Sequence, residues 1–205
     1  LNTNPIPRVW EQMNLCFSHG VDRIWIVNVG DIKPMEFPIR FFLDMAWDPA
    51  AMTVERMADY SHHWAAENFG SAFADEIARM MDDYTRYNGR RKPELLDPGT
   101  YSLINYHEAE RVVAAYQRLA KEALALNEKL PEEYRDAFFQ LVSYPVQACA
   151  NLNELYVTVG KNRLYAAQGR NATNDLAEKA EQLYRRDSLL TLQYNRELAG
   201  GKWNH

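Results

Sequence analysis

Apolar positions recur three and four residues apart along most of this chain, the spacing of one face of an α-helix. From Thr53 onward the stripes are long and nearly unbroken. Val54, Met57, Ser61, Trp64 and Ala65 form the first, and Phe73, Ile77, Met80, Met81 and Tyr84 the second. Val112, Tyr116, Leu119, Ala123, Leu126 and Leu130 step along a third. Tyr134, Phe138, Leu141 and Val142 begin a fourth, which Val146, Cys149, Leu152, Tyr156 and Val159 continue. The last runs through Leu176, Ala180, Leu183, Tyr184, Leu190 and Tyr194. Punctuation agrees with the stripes. Thr53 is placed to cap a helix start, and Gly70, Asn88-Gly89 and Gly200-Gly201 stand where helices should stop. Pro131 opens a helix whose first turn carries Glu132 and Glu133, where the dipole favours acids. Pro145 should kink or split the helix around it. About five long amphipathic helices joined by short loops are best buried as a bundle.

The first fifty residues follow another pattern. Residues 7–19 read as a helix through Val9, Met13, Cys16 and Phe17, stopped by Gly20. Ile24-Trp25-Ile26-Val27 is a short, continuous, β-branched and aromatic run, as in a strand buried on both faces of a parallel sheet. Residues 38–47 read as the next helix, ending before Asp48-Pro49. The expected fold class is therefore mainly α. Residues 51–205 form a helical bundle, and residues 1–50 precede it as a helix–strand–helix segment without neighbouring strands.

Composition changes little in this picture. With 47% hydrophobic residues among 205, the chain can bury a sizeable core. A net charge of −5 argues against general nucleic-acid binding, and the short basic run Arg90-Arg91-Lys92 reads as a solvated loop. No apolar run approaches the ~18 residues of a membrane span. Cys16 and Cys149 lie far apart without metal spacing and read as free thiols on apolar faces.

Candidate chemistry is sparse. Asp59 and His62 stand at i, i+3, and His63 and Glu67 at i, i+4, so each pair shares a helix face. A ferritin-like di-iron centre needs Glu-x-x-His motifs, and the chain has none. These residues read as surface or helix-packing groups, with no metal and no cofactor expected. There is no Gly-x-Ser-x-Gly, and Gly160-Lys161 lacks the glycines of a phosphate loop. Asn171-Ala172-Thr173 reads as turn and cap residues, and Asp187 as a drift of the last stripe. What remains is Asn28, Asp31, Lys33 and Glu36, directly beyond the expected strand. Two readings stand open. Such residues occur in any strand-to-helix loop as caps and surface charges, which spacing alone favours. They also occur where ligands bind, outside the carboxyl ends of strands. Asn28 would then fix a hydroxyl or a water, Gly30 would let the backbone turn close to a ligand, and Lys33 would face an anion.

The segment "DRIWIVNVGDIKPMEFPIRFFLDMAWDP" resembles the signature region of the family-115 glycoside hydrolases, and the likeness continues through "YSHHWAAENFG", "YTRYNGRRKPELLDPGTYS", "SYPVQACANLNELY" and "LAGGKWNH". That resemblance implies an α-glucuronidase acting on glucuronoxylan, with inversion, in which a (β/α)₈ barrel is followed by a helical bundle. It implies that this chain is an internal piece, with residues 1–50 the end of the barrel and 51–205 the helical domain. The principal carboxylates would lie upstream, and the piece alone would be inactive. Asn28 best matches a family active-site position, as a group orienting water or substrate. Asp31, Lys33 and Glu36 match the motif as substrate-binding or loop-supporting groups. Glucuronoxylan or aldouronic acids would be the partners of the whole enzyme, with no nucleic acid or membrane. A homodimer is possible, and the parent would be secreted or periplasmic. Two other readings of the residues stay open: a helical interaction module, and a helical carbohydrate-binding domain using exposed Trp and Tyr as platforms.

Overall fold

A computed structural model describes residues 3–30 and 32–204, and among them every regular element is helical. The chain divides into two compact units, Leu1–Arg90 and Arg91–His205.

The first unit holds α1 (Ile6–Ser18), α2 (Glu36–Trp47), α3 (Val54–Ala58), α4 (Tyr60–Phe69) and α5 (Ala74–Asn88). Its core is aromatic. Phe37 and Phe41 of α2 meet Trp64 and Tyr60 of α4 edge-on, each pair with centroids 4.9 Å apart. Ile77, Met80, Met81 and Tyr84 of α5 are all buried, as their spacing requires. Residues from both sides of position 50 thus share one core. The stripe expected from Thr53 is broken at Asp59, which ends α3 and precedes α4. The Thr53 hydroxyl accepts the Arg56 N–H, confirming the cap. Gly70 ends α4 at φ 84°, a left-handed conformation that glycine adopts without a Cβ clash.

The expected strand is absent. Residues 24–27 are irregular, and Ile24 and Ile26 are 72% and 88% exposed. A strand persists only when another strand takes its N–H and C=O groups, and no strand exists among the described residues. Trp25 anchors the segment. Its ring contacts Phe17 of α1 and Phe42 of α2, and its indole N–H donates to the Val21 carbonyl at 2.7 Å.

The second unit holds α6 (Glu108–Lys129), α7 (Glu132–Phe138), α8 (Tyr144–Ala167) and α9 (Thr173–Leu192). In place of one bent helix, Phe139–Ser143 forms a π-helical turn and α8 restarts with Pro145 in its first turn. There its missing N–H costs no helical bond. Helix α8 packs against both α6 and α9, so its buried surface is wider than one stripe and includes Asn151 and Asn153, each 1% exposed. Asn151 donates to the Leu183 carbonyl of α9 at 3.0 Å. Helix α6 begins only at Glu108, because Tyr106 and His107 are left-handed at φ 53° and 52°. Gly160 of α8 has a packing task instead of a phosphate-binding one. A Cβ there would lie 2.4 Å from the Pro98 carbonyl oxygen. Asp187 is exposed, Cys149 is buried and Cys16 half-buried, and neither cysteine is in a disulfide. No helix among the described residues is long and apolar enough to cross a membrane.

Candidate functional site

Asn28 lies at the head of the loop entering α2 and is exposed. Its Oδ1 accepts the Gly30 N–H at 3.1 Å, closing a small turn that Gly30 completes at φ 66°. The side-chain NH₂ is the part of the amide left to donate to a ligand. Asp31 falls outside the described residues. Lys33 and Glu36 form an ion pair at the start of α2, and the peptide between Lys33 and Pro34 is cis. Asn28, Lys33 and Glu36 thus lie on one loop, with the cation and the carboxylate already engaged with each other.

One turn further along α2, a second polar group appears that the motif reading did not single out. Arg40 reaches from α2 to Glu67 of α4, with Nη2 2.6 Å from Oε2, and its Nε lies 3.6 Å from Asp44 Oδ2. The Tyr60 hydroxyl donates to the same Asp44 oxygen at 2.7 Å. Burial, then the hydrogen bond to Asp44 and that carboxylate's charge, push the Tyr60 phenol far above its usual range. It therefore stays protonated and serves as a donor. Burial alone would pull the Arg40 guanidinium down, but Glu67, Tyr60 and Asp44 together hold it above its ordinary value. Arg40, Asp44, Arg56, Tyr60, His63, Trp64 and Glu67 line a cavity of about 210 Å³. Each of its acids has a partner, so the group reads as a polar lock between α2 and α4 with Arg56 and His63 beside it. The signal for it was present in sequence, since Glu36, Arg40 and Asp44 recur at i, i+4, i+8 on α2.

The pairing expected on α4 is rearranged. Glu67 is committed to Arg40, and His63 turns instead to Asp59, with Nδ1 3.0 Å from Oδ2. His62 faces Asp75 of α5, Nε2 to Oδ1 3.3 Å.

A larger cavity of about 590 Å³ opens between α1, α3, α4 and α5. Pro5, Ile6, Pro7 and Met57 make apolar walls, and Ser61 donates to Asp82 Oδ1 at 2.7 Å beside them. Burial pushes the Asp82 carboxyl up, partly offset by the Ser61 bond.

Comparison with known proteins places this geometry. The profile described as glycosyl hydrolase family 115 matches residues 1–95, which include Asn28, the α2 loop and the Arg40 group. No curated protein matches. Among solved structures, all of the chain superimposes with a TM-score of 0.85 and 29% identity on BtGH115A, described as a family GH115 4-O-methyl-α-glucuronidase with specificity for decorated arabinogalactans. The chain spans 27% of that protein's length. The first 95 residues are thus similar to glycosyl hydrolase family 115, and the whole length of the chain is similar in fold to a solved member of that family.

Proposed function

We propose that the protein carrying this chain removes α-1,2-linked glucuronic acid, or its 4-O-methyl ether, from xylan with inversion at the anomeric carbon. The superposition over the full chain on a 4-O-methyl-α-glucuronidase supports this reading most strongly. A second reading keeps the sugar and changes the polymer. The same relative is described as specific for decorated arabinogalactans, so an arabinogalactan backbone is the alternative.

Inversion takes a general acid and a general base on opposite faces of the sugar, roughly 6.5–9.5 Å apart so that a water fits between. In this proposal both carboxylates lie in a barrel preceding this chain. Residues 1–50 are the part of this chain proposed to border that barrel. Asn28 contributes the amide that orients the water or a sugar hydroxyl. The turn through Gly30 holds Asn28 by its Oδ1, so its NH₂ is aimed without further ordering cost. Lys33 and Glu36 stiffen the loop as a pair, and Lys33 is placed to share its charge with the glucuronate carboxylate. Asp31 belongs to the same motif. Polymeric substrate implies an extracellular or periplasmic site of action, and a homodimer is the assembly proposed.

The decisive measurement is glucuronate release from aldouronic acids and from decorated arabinogalactan oligosaccharides. Protein extended upstream through a barrel should release it from at least one, and the 205-residue chain alone should release none. No release from either substrate by the extended protein would sink the reading. Release by the chain alone would overturn the upstream placement of the acids.

A further inference from the structure

Asp59, His62 and His63 meet where α3 gives way to α4. Each offers one donor atom, and the three atoms lie within 4.8 Å of one another. We propose that these side chains form a binding site for a divalent first-row transition ion of the zinc class. The proposal is independent of the glycosidase reading.

The geometry arises from a competition on α4. On spacing alone His63 shares a face with Glu67, but Arg40 takes Glu67 at 2.6 Å. His63 then turns towards the helix start, where its Nδ1 stands 3.0 Å from Asp59 Oδ2 and 3.1 Å from the Asp59 carbonyl oxygen. Two donors on one small ion, each about 2.0–2.2 Å from it, come to rest at about that separation. An ion bound at His63 Nδ1 would take the place of the hydrogen between that nitrogen and Asp59, with the ring carrying its hydrogen on Nε2 instead.

His62 adds an outer carboxylate. Its Nε2 is 3.3 Å from Asp75 Oδ1, which leaves Nδ1 for an ion. Histidine ligands usually give their other ring nitrogen to a carboxylate or carbonyl, which fixes the ring. The two imidazoles stand nearly perpendicular, 83° between planes with centroids 6.0 Å apart, so their edges can converge. The support is rigid, because the neighbouring Trp64 and Ala65 are 3% and 0% exposed and anchor α4 to the core. Two imidazoles and one carboxylate suit zinc, nickel or copper rather than magnesium or calcium, which take oxygen ligands. Asp59 and His63 are exposed and His62 half-buried, leaving the remaining coordination positions to water.

The test is titration of the untagged chain with zinc chloride by calorimetry, with cobalt absorption as a second probe. One equivalent should bind in the micromolar range, and zinc should raise the thermal midpoint by binding the folded state only. His62→Gln, His63→Gln and Asp59→Asn should each weaken binding about tenfold or more and abolish that rise, as should Asp75→Asn to a smaller extent. His107→Gln should change nothing. No binding below millimolar zinc would overturn the site. So would wild-type affinity in both His62→Gln and His63→Gln.

Discussion

The Tyr60 hydroxyl donates a 2.7 Å hydrogen bond to Asp44 Oδ2, tying α4 to α2 across the point where the apolar pattern of the chain changes character. Around it Phe41 packs on the Tyr60 ring and Arg40 bridges to Glu67. The bond satisfies a carboxylate that would otherwise depend on Arg40 alone, and it explains why the phenol is held protonated.

Removing that bond while keeping the ring isolates its worth. Tyr60→Phe should destabilise the chain by about 1–2 kcal/mol, because a partly buried acceptor loses its donor. Urea unfolding measures this. In a double-mutant cycle with Asp44→Ala the two losses should fail to add, since both variants break the same contact. Strict additivity would show that the two residues act separately.

Gly160→Ala is expected to cost about 1–3 kcal/mol. Its Cβ would meet the Pro98 carbonyl oxygen at 2.4 Å, and that oxygen belongs to backbone that must move as a whole. Thermal unfolding of the variant checks it. Helix propensity alone predicts the opposite sign, as alanine is the better helix former, so the direction of the change decides between the two effects.

Asp82 makes stability depend on pH. Burial raises its carboxyl in the folded state above the unfolded value, so the folded chain binds more protons in the window between the two. Stability from this group therefore rises as pH falls through the raised folded value, and levels off below the unfolded one. Asp82→Asn keeps an oxygen to accept from Ser61 and removes the titration. It should flatten that part of the profile and raise the melting temperature at neutral pH. A wild-type pH profile in the variant would contradict the assignment.

Amides of residues 24–27 should exchange with solvent far faster than those of the flanking α1 and α2, since no strand pairs with them among the described residues. Hydrogen exchange by mass spectrometry reads this directly.

Asn28→Ala in the extended enzyme should lower kcat about a hundredfold, the scale of losing one positioned hydrogen-bond donor. The unfolding midpoint should stay near wild type, as the residue is exposed and its side-chain hydrogen bond is to its own turn. Steady-state turnover on aldouronic acids measures it, and an unchanged kcat would remove Asn28 from the site.

Much of the helical unit was readable in the chain. The buried stripe of α5 through Ile77, Met80, Met81 and Tyr84 follows directly from 3.6-residue spacing, as do the Thr53 cap and the restart at Pro145. Ile24-Trp25-Ile26-Val27 shows the limit of that logic. Composition gives those residues the character of a strand, but a strand needs a neighbour to pair with, and no strand is present among the described residues.

Local pattern, then, determined the helices, their breaks and the loop that carries Asn28, because these depend on residues within a turn or two of each other. Tertiary structure decided which charges meet. Arg40 is four residues from Asp44 in sequence, yet its shorter contact is with Glu67, twenty-seven positions away on another helix. That choice turned His63 from Glu67 to Asp59 and brought three possible metal donors together. Side chains of equal reach have several partners available along a helix face, and only the packing of Phe37 and Phe41 against α4 settles which of them is close enough to win.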